Sequence, residues 1–413
     1  MKLGIVDYQL SRGGGERFVL GVLNSLPEEI DVTIFSADWA LEGYQALAAQ
    51  ARRPVTLVNR PVMTHRSAMA MGEQATLSGE TLYDIPAEMW DGLDLAWFPW
   101  VNRHIIPRQC MIRTVATVHD MISVEWGEFI ADKRAPLGKV GYYFAMGMED
   151  MLMRRLAGSL AKIVVDARRT ADHIGKTYGP LPRAPDVVYL SAEHISEIAP
   201  EPVGEFGMPP RYLIYPANYT PHKNHEALLI ALAKVKAERP DMFLPLVLTG
   251  WRIECIPAAS TDRGAYLKAL IDHLKLEIGR DVLIPGRVSD GQFRGLLQNA
   301  TGLIFPSFQE GFGFPPVEAA LLGVPVAVSD IEIMRESLGR FDIPAVWFRP
   351  DQVDDLVRAM VTLAADETDL RAKAAGRIGD LRGDSWADVG QKYLAIFREQ
   401  MSVASLYTQY APA

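Results

Sequence analysis

Glu310 and Glu318 stand with seven residues between them, and Gly311-Phe312-Gly313-Phe314-Pro315-Pro316-Val317 fills the gap. Glycines let a ligand come close to backbone N–H groups, and the start of a helix favours negative charge. A carboxylate beside a bound anion is repelled unless it has donors to accept from. Sugar and ribose hydroxyls are such donors. The spacing therefore suits a ligand with an anionic middle and hydroxyl-rich ends, such as a nucleotide sugar. The plainer alternative is one turn glutamate and one capping glutamate at a helix start.

Leu303 to Pro306 reads as a buried strand leading into this loop, and Pro315 and Pro316 suit the first turn of a helix. Glu318 is expected in that turn, Gly323 at the helix end, and Val324 to Val328 as the next strand. The loop then lies at the carboxyl end of a parallel strand, where open α/β sheets bind ligands. A similar unit opens the chain. Strand Lys2 to Tyr8 runs into Ser11-Arg12-Gly13-Gly14-Gly15-Glu16, and a helix from Arg17 carries Phe18, Val19, Val22, Leu23 and Leu26 on one face. Arg113 to Val118 is β-branched and delivers His119-Asp120 to its end. In the second half, Tyr212 to Pro216 precedes Ala217-Asn218-Tyr219-Thr220-Pro221-His222-Lys223-Asn224-His225. Thr220 as N-cap and Pro221 as first helical residue put Lys223 in a first turn, where a cation opposes the helix dipole unless an anion lies between them.

Together these segments resemble the retaining GT-B glycosyltransferases of family 4 (group 1 type), whose donor signature is a Glu-x7-Glu motif. The resemblance covers nearly the whole chain, strongest from Tyr212 to Asp330 and weakest from Asn59 to Trp100. It implies an α/β fold of two Rossmann-like domains facing a cleft, with a C-terminal helix crossing back to the first. Residues 1–200 with helix 385–413 would form the acceptor-side domain, 210–384 the donor domain, and the proline-rich stretch from Pro200 to Pro210 the linker. The donor would be bound by Gly14, Asn218, Lys223, Gly250, the backbone near Val288, Glu310, Gly311, Phe312, Gly313, Phe314 and Glu318. Lys223 would hold the diphosphate, Glu310 the sugar and Glu318 the ribose. Gly13, Gly14, His119 and Asp120 would face the acceptor side, with Glu16 completing the glycine motif. His119, Glu310 and Lys223 would carry catalysis. Two departures stand out: Asn218 occupies the place of an arginine, and Asp166 that of a serine after strand Lys162 to Val165.

The chain has 413 residues, enough for two domains, with 49% hydrophobic and 23% charged residues. A net charge of −9 offers no overall basic field for nucleic acid. The first residues resemble no signal peptide, and no apolar run approaches the roughly 20 residues of a membrane span. Two distant cysteines, Cys110 and Cys255, fit a reducing, cytoplasmic setting. Residues 126–160 interleave basic and apolar side chains. They read as an amphipathic helix packed on the sheet or as a patch for the inner membrane surface or a lipid-linked acceptor. His222 and His225 have metal-ligand spacing but no third ligand nearby, and no Asp-x-Asp motif occurs. No metal or cofactor is expected. The partners are a nucleotide sugar and a glycan or lipid-linked hydroxyl acceptor, and Asn218 with the Pro-His-Lys-Asn-His run from Pro221 to His225 resembles mannosyl- or rhamnosyl-type members of polysaccharide and lipopolysaccharide assembly. A nucleotide-sugar epimerase or hydrolase, a phosphorylase, or a non-catalytic nucleotide-sugar-binding subunit are the competing readings.

Overall fold

Short runs, most of them apolar and in the central strands buried along nearly their whole length, build two all-parallel sheets. Strands buried on both faces are continuous apolar segments rather than alternating ones. Among the described residues the first sheet has seven strands: β1 (Lys2–Val6), β2 (Asp31–Ala37), β3 (Thr56–Arg60), β4 (Leu95–Phe98), β5 (Thr114–Val118), β6 (Lys162–Val165) and β7 (Asp186–Val187), in the order β3-β2-β1-β4-β5-β6-β7. The second has six: β8 (Leu213–Pro216), β9 (Leu246–Thr249), β10 (Val282–Leu283), β11 (Gly302–Phe305), β12 (Val326–Ser329) and β13 (Ala345–Phe348), in the order β10-β9-β8-β11-β12-β13. Each order reverses once, at β1/β4 and at β8/β11, and such a reversal opens a crevice at the carboxyl ends of the strands.

The computed structural model describes residues 1–6, 14–37, 41–60, 91–101, 112–122, 153–154, 156–157, 161–286, 288–375 and 385–402. Gly13, most of the 59–92 segment and nearly all of 126–160 lie outside the described residues. Among the described residues no helix is long and apolar enough to cross a membrane.

The chain divides into two compact units, Met1–Ser191 with Gly383–Ala413, and Ala192–Arg382. The division falls ahead of the 200–210 stretch. The short helix His194–Glu197 and the segment after it pack within the second unit: Arg294 donates to the carbonyls of Ser196 and Ile198, and Glu201 N donates to the Gly291 carbonyl at 3.0 Å.

In the first unit, helix α1 (Gly14–Ser25) buries Phe18, Val19, Val22 and Leu23, three or four residues apart, against the sheet. It begins at Gly14, earlier than the apolar face alone indicates. The C-terminal helix Trp386–Ser402 docks on α1. A Cβ on Gly21 would fall 2.3 Å from the Trp386 ring, so only glycine admits this approach. Tyr393 of the same helix reaches under β5, its hydroxyl 3.1 Å from Thr117 Oγ1, which also accepts from Trp97 Nε1 at 3.0 Å. Phe18, Trp97 and Tyr393 stack into one aromatic cluster with centroids 5.3 to 5.7 Å apart. This cluster supports the end of β5, where His119 follows.

Candidate functional site

In the second unit the switch point is built by the segments leaving β8 and β11. After β8, Asn218 Oδ1 accepts from Thr220 N at 3.2 Å and Thr220 Oγ1 at 2.5 Å, a side-chain-closed turn. Pro221–Lys223 form a single 3₁₀ turn, and Asn224 then adopts a left-handed conformation with φ 59°. The α-helix runs only from His225 to Glu238. Thr220 therefore makes no helix cap, and Lys223 precedes the helix instead of lying in its first turn. Asparagine tolerates this backbone, and its side chain secures it by donating to the carbonyls of Pro306 at 3.1 Å and Pro350 at 2.7 Å.

Lys223 Nζ meets both Glu310 oxygens, at 2.6 and 2.8 Å, and lies 5.9 Å from the Phe305 ring. Phe308 N donates to the His222 carbonyl at 2.8 Å, and Tyr215 OH donates to the Lys223 carbonyl at 2.7 Å. Burial, then the Glu310 charge, hold the Tyr215 hydroxyl well above its ordinary pKa, so it stays a neutral donor. Burial beside Lys223 drives His222 down to about 3; burial, with Arg263, Lys223 and His222, does the same for His225. Both are neutral. Among the described residues no three histidine, cysteine, aspartate or glutamate side chains gather to hold a metal ion.

The glycine loop continues into α-helix Phe314–Leu321, entered through Gly313 at φ 84°. A Cβ there would stand 2.2 Å from Met334 Cε. The second and third helical residues are Pro315 and Pro316, which lack N–H groups, so donors for an anion come from the loop, Phe314 and Val317. Because the helix begins at Phe314, Glu318 is its fifth residue and lies beyond the first turn, where the sequence pattern had put it. It is 1% exposed, and its Oε1 is 2.8 Å from His194 Nε2. Phe312 and Phe314 stack edge to face at 5.2 Å, and the Phe312 carbonyl accepts from Ser337 Oγ at 2.7 Å. Gly250 ends β9 with φ 136°; a Cβ would sit 2.5 Å from the Ala217 carbonyl oxygen, so glycine there lets the β8 loop lie close. Val288 is half-buried beside Ser289, which caps the helix Asp290–Gln298.

Lys223, Asn218, Gly250, Glu310 to Phe314 and Glu318 thus lie on the carboxyl-end segments of β8, β9 and β11. His194 was not legible as a site residue. It is 124 residues from Glu318 and belongs to no motif.

In the first unit, His119 follows β5 and is 6% exposed. Its Nδ1 lies 2.9 Å from Asp166 Oδ2 and its Nε2 2.8 Å from the Pro99 carbonyl. Trp100 lies along its ring at 4.3 Å and Phe18 meets it edge-on at 4.8 Å. Asp120 Oδ1 accepts from Ile122 N at 2.9 Å, closing a local turn. Gly14 is the first residue of α1.

Residues 201–378 match the family model described as Glycosyl transferases group 1. The serotype-specific mannosyltransferase WbdA of Escherichia coli is 26% identical over 298 residues, covering 69% of this chain and 33% of WbdA. The O-antigen chain mannosyltransferase RfbU of Salmonella typhimurium is 28% identical over 180 residues, 44% of each chain. The chain thus spans about a third of WbdA and under half of RfbU. Among solved structures, HepE from Anabaena in complex with UDP-glucose aligns with a TM-score of 0.67 at 15% identity, over 97% of this chain and 100% of HepE. The fold is GT-B.

Proposed function

Proceeding from the group 1 glycosyltransferase domain at residues 201–378, we propose that this chain moves a sugar from a nucleotide-diphosphate donor to a hydroxyl of a glycan or lipid-linked acceptor. The observation that carries this reading is the Lys223–Glu310 pair between the strand-end segments of β8 and β11. A diphosphate entering beside the glycine loop draws the ammonium toward itself, and the released carboxylate then accepts from the sugar hydroxyls. Lys223 and the amides of Gly311 to Phe314 stabilise the charge that grows on the departing diphosphate. That positive charge does the work a metal would do elsewhere. Glu318, held by His194, takes the ribose, and the backbone near Val288 the base. His119, with Gly14 and Asp120, serves the acceptor side. Transfer proceeds with retention of configuration, and neither glutamate forms a covalent intermediate; trapping a glycosyl adduct on Glu310 would overturn that step. The names of WbdA and RfbU support mannose as the sugar, and a cytoplasmic setting is part of the same proposal.

The test is a thermal-shift screen of GDP-mannose, UDP-glucose and dTDP-rhamnose, followed by product analysis with the stabilising donor. A donor at a hundred times its Kd should add about 2.7 kcal/mol of stability. Stabilisation by one donor, lost in Lys223→Ala, is the expected result. Stabilisation by none, or an undiminished shift in Lys223→Ala, would overturn the reading.

A further inference from the structure

Both nitrogens of the buried His119 ring face acceptor oxygens: the Asp166 carboxylate, which in its ionised form only accepts, at Nδ1, 2.9 Å away, and a backbone carbonyl at Nε2, 2.8 Å away. A neutral imidazole carries one N–H and one lone pair. One tautomer would set the Nδ1 lone pair against the Asp166 carboxylate, the other the Nε2 lone pair against the Pro99 carbonyl. Only the doubly protonated ring donates to both. We propose that Asp166 is a positioning residue that holds His119 as an imidazolium, its Nε2–H committed to the Pro99 carbonyl, so that the ring works as an oriented cation and not as a base.

The surroundings agree with this. Burial disfavours the charge, but the Asp166 hydrogen bond and charge, the Pro99 carbonyl and the Asp120 charge outweigh it, and His119 titrates above its ordinary value. Among the described residues, the groups that shift His119 are all acceptors or carboxylates, and no cation is one of them. Phe18 of α1 and Trp100 after β4 offer rings, Asp166 follows β6, and Tyr393 keeps its proton because burial, with the Asp166 charge, pushes its pKa up. Asp166 is 2% exposed, so the pair is shielded from screening. A ring with no lone pair cannot take the acceptor's proton. Its contribution to transfer is charge and orientation on the acceptor side, which rests on the role given to His119 above.

The test is the ¹⁵N spectrum of the full chain labelled at histidine, with the His119 signals assigned by their loss in His119→Gln. No substrate is needed, so the result stands whether or not transfer is found. Two protonated-type ring nitrogens at neutral pH are expected. One protonated and one bare nitrogen would overturn the proposal without the help of any variant. Asp166→Asn separates charge from orientation, because its amide can donate to Nδ1 while Nε2–H stays on Pro99. This variant should show a neutral ring and a kcat lowered about tenfold or more, with donor KM unchanged. A ring still doubly protonated in Asp166→Asn, or a neutral ring with full kcat, would each overturn it.

Discussion

The Lys223 ammonium and the Glu310 carboxylate, 87 residues apart in the chain, meet at 2.6 Å with side chains only 13% and 9% exposed. Removing one partner of so buried a pair leaves the other charge desolvated and uncompensated, at roughly 3–5 kcal/mol. Lys223→Met should lose stability on that scale, and the double variant Lys223→Met/Glu310→Gln should recover most of it. Urea unfolding of the wild type, both single variants and the double variant measures the coupling. Additive effects would mean that the two groups do not interact in solution. Each single variant should also lose transfer activity.

His194 should set the affinity for the nucleotide. Its Nε2 is 2.8 Å from a Glu318 oxygen whose residue is almost fully buried, so it orients the carboxylate assigned to the ribose. A hydrogen bond to a charged group contributes about 1.5–3 kcal/mol, so His194→Ala should raise the Kd for a nucleoside diphosphate at least about tenfold. His194→Gln, which keeps an N–H donor at similar reach, should restore most of the affinity. Calorimetric titration with the nucleoside diphosphate alone decides it, and unchanged binding by His194→Ala would remove His194 from the site.

The two-sheet fold was legible because its central strands are short apolar runs, each followed by a loop rich in glycine, proline or polar residues. The loop holding Glu310 and the strand end holding His119 were legible for the same reason. What escaped was long-range or stereochemical. The break at Asn224 depends on acceptors supplied by Pro306 and Pro350, 82 and 126 residues away. The depth of Glu318 follows from a helix that begins at Phe314, which two prolines could not locate to the residue. Asp166 could be seen as a departure from the family pattern, yet nothing local pairs it with His119, 47 residues earlier. The docking of the C-terminal helix depends on a missing Cβ at Gly21, and a glycine in a helix carries no such message by itself.

Gly313 offers a test of the loop's backbone. Its φ of 84° is a left-handed conformation that an alanine adopts at about 1–2 kcal/mol, and the new Cβ would meet Met334 Cε at 2.2 Å. Gly313→Ala should destabilise the protein by roughly 2–3 kcal/mol and weaken donor binding, because the amides of Phe312 and Phe314 would turn. Adding Met334→Ala relieves the clash but not the backbone strain, so binding should stay impaired. Full recovery in the double variant would show that packing alone makes glycine necessary there.

The buried histidines of the second unit impose an acid limit on stability. His222 and His225 have pKa values lowered to about 3, whereas in the unfolded chain each titrates near 6.5. Below pH 6.5 the unfolded state therefore binds more protons, and stability falls as pH falls. At pH 5 each accounts for roughly 2 kcal/mol on a scale of 1.36 kcal/mol per pH unit. His119, raised above its ordinary value, has its window above pH 6.5: its contribution is present below that point and is lost as pH climbs through its folded-state pKa. The two effects have opposite signs and meet near pH 6.5. His225 lies against the Tyr215 ring at 5.0 Å, and among the described residues neither of its ring nitrogens has a hydrogen-bond partner, so a phenylalanine suits the site. His225→Phe should make the loss between pH 7 and pH 5 shallower by about half. Urea unfolding at the two pH values measures this directly, and an unchanged slope in His225→Phe would assign the acid sensitivity to other groups.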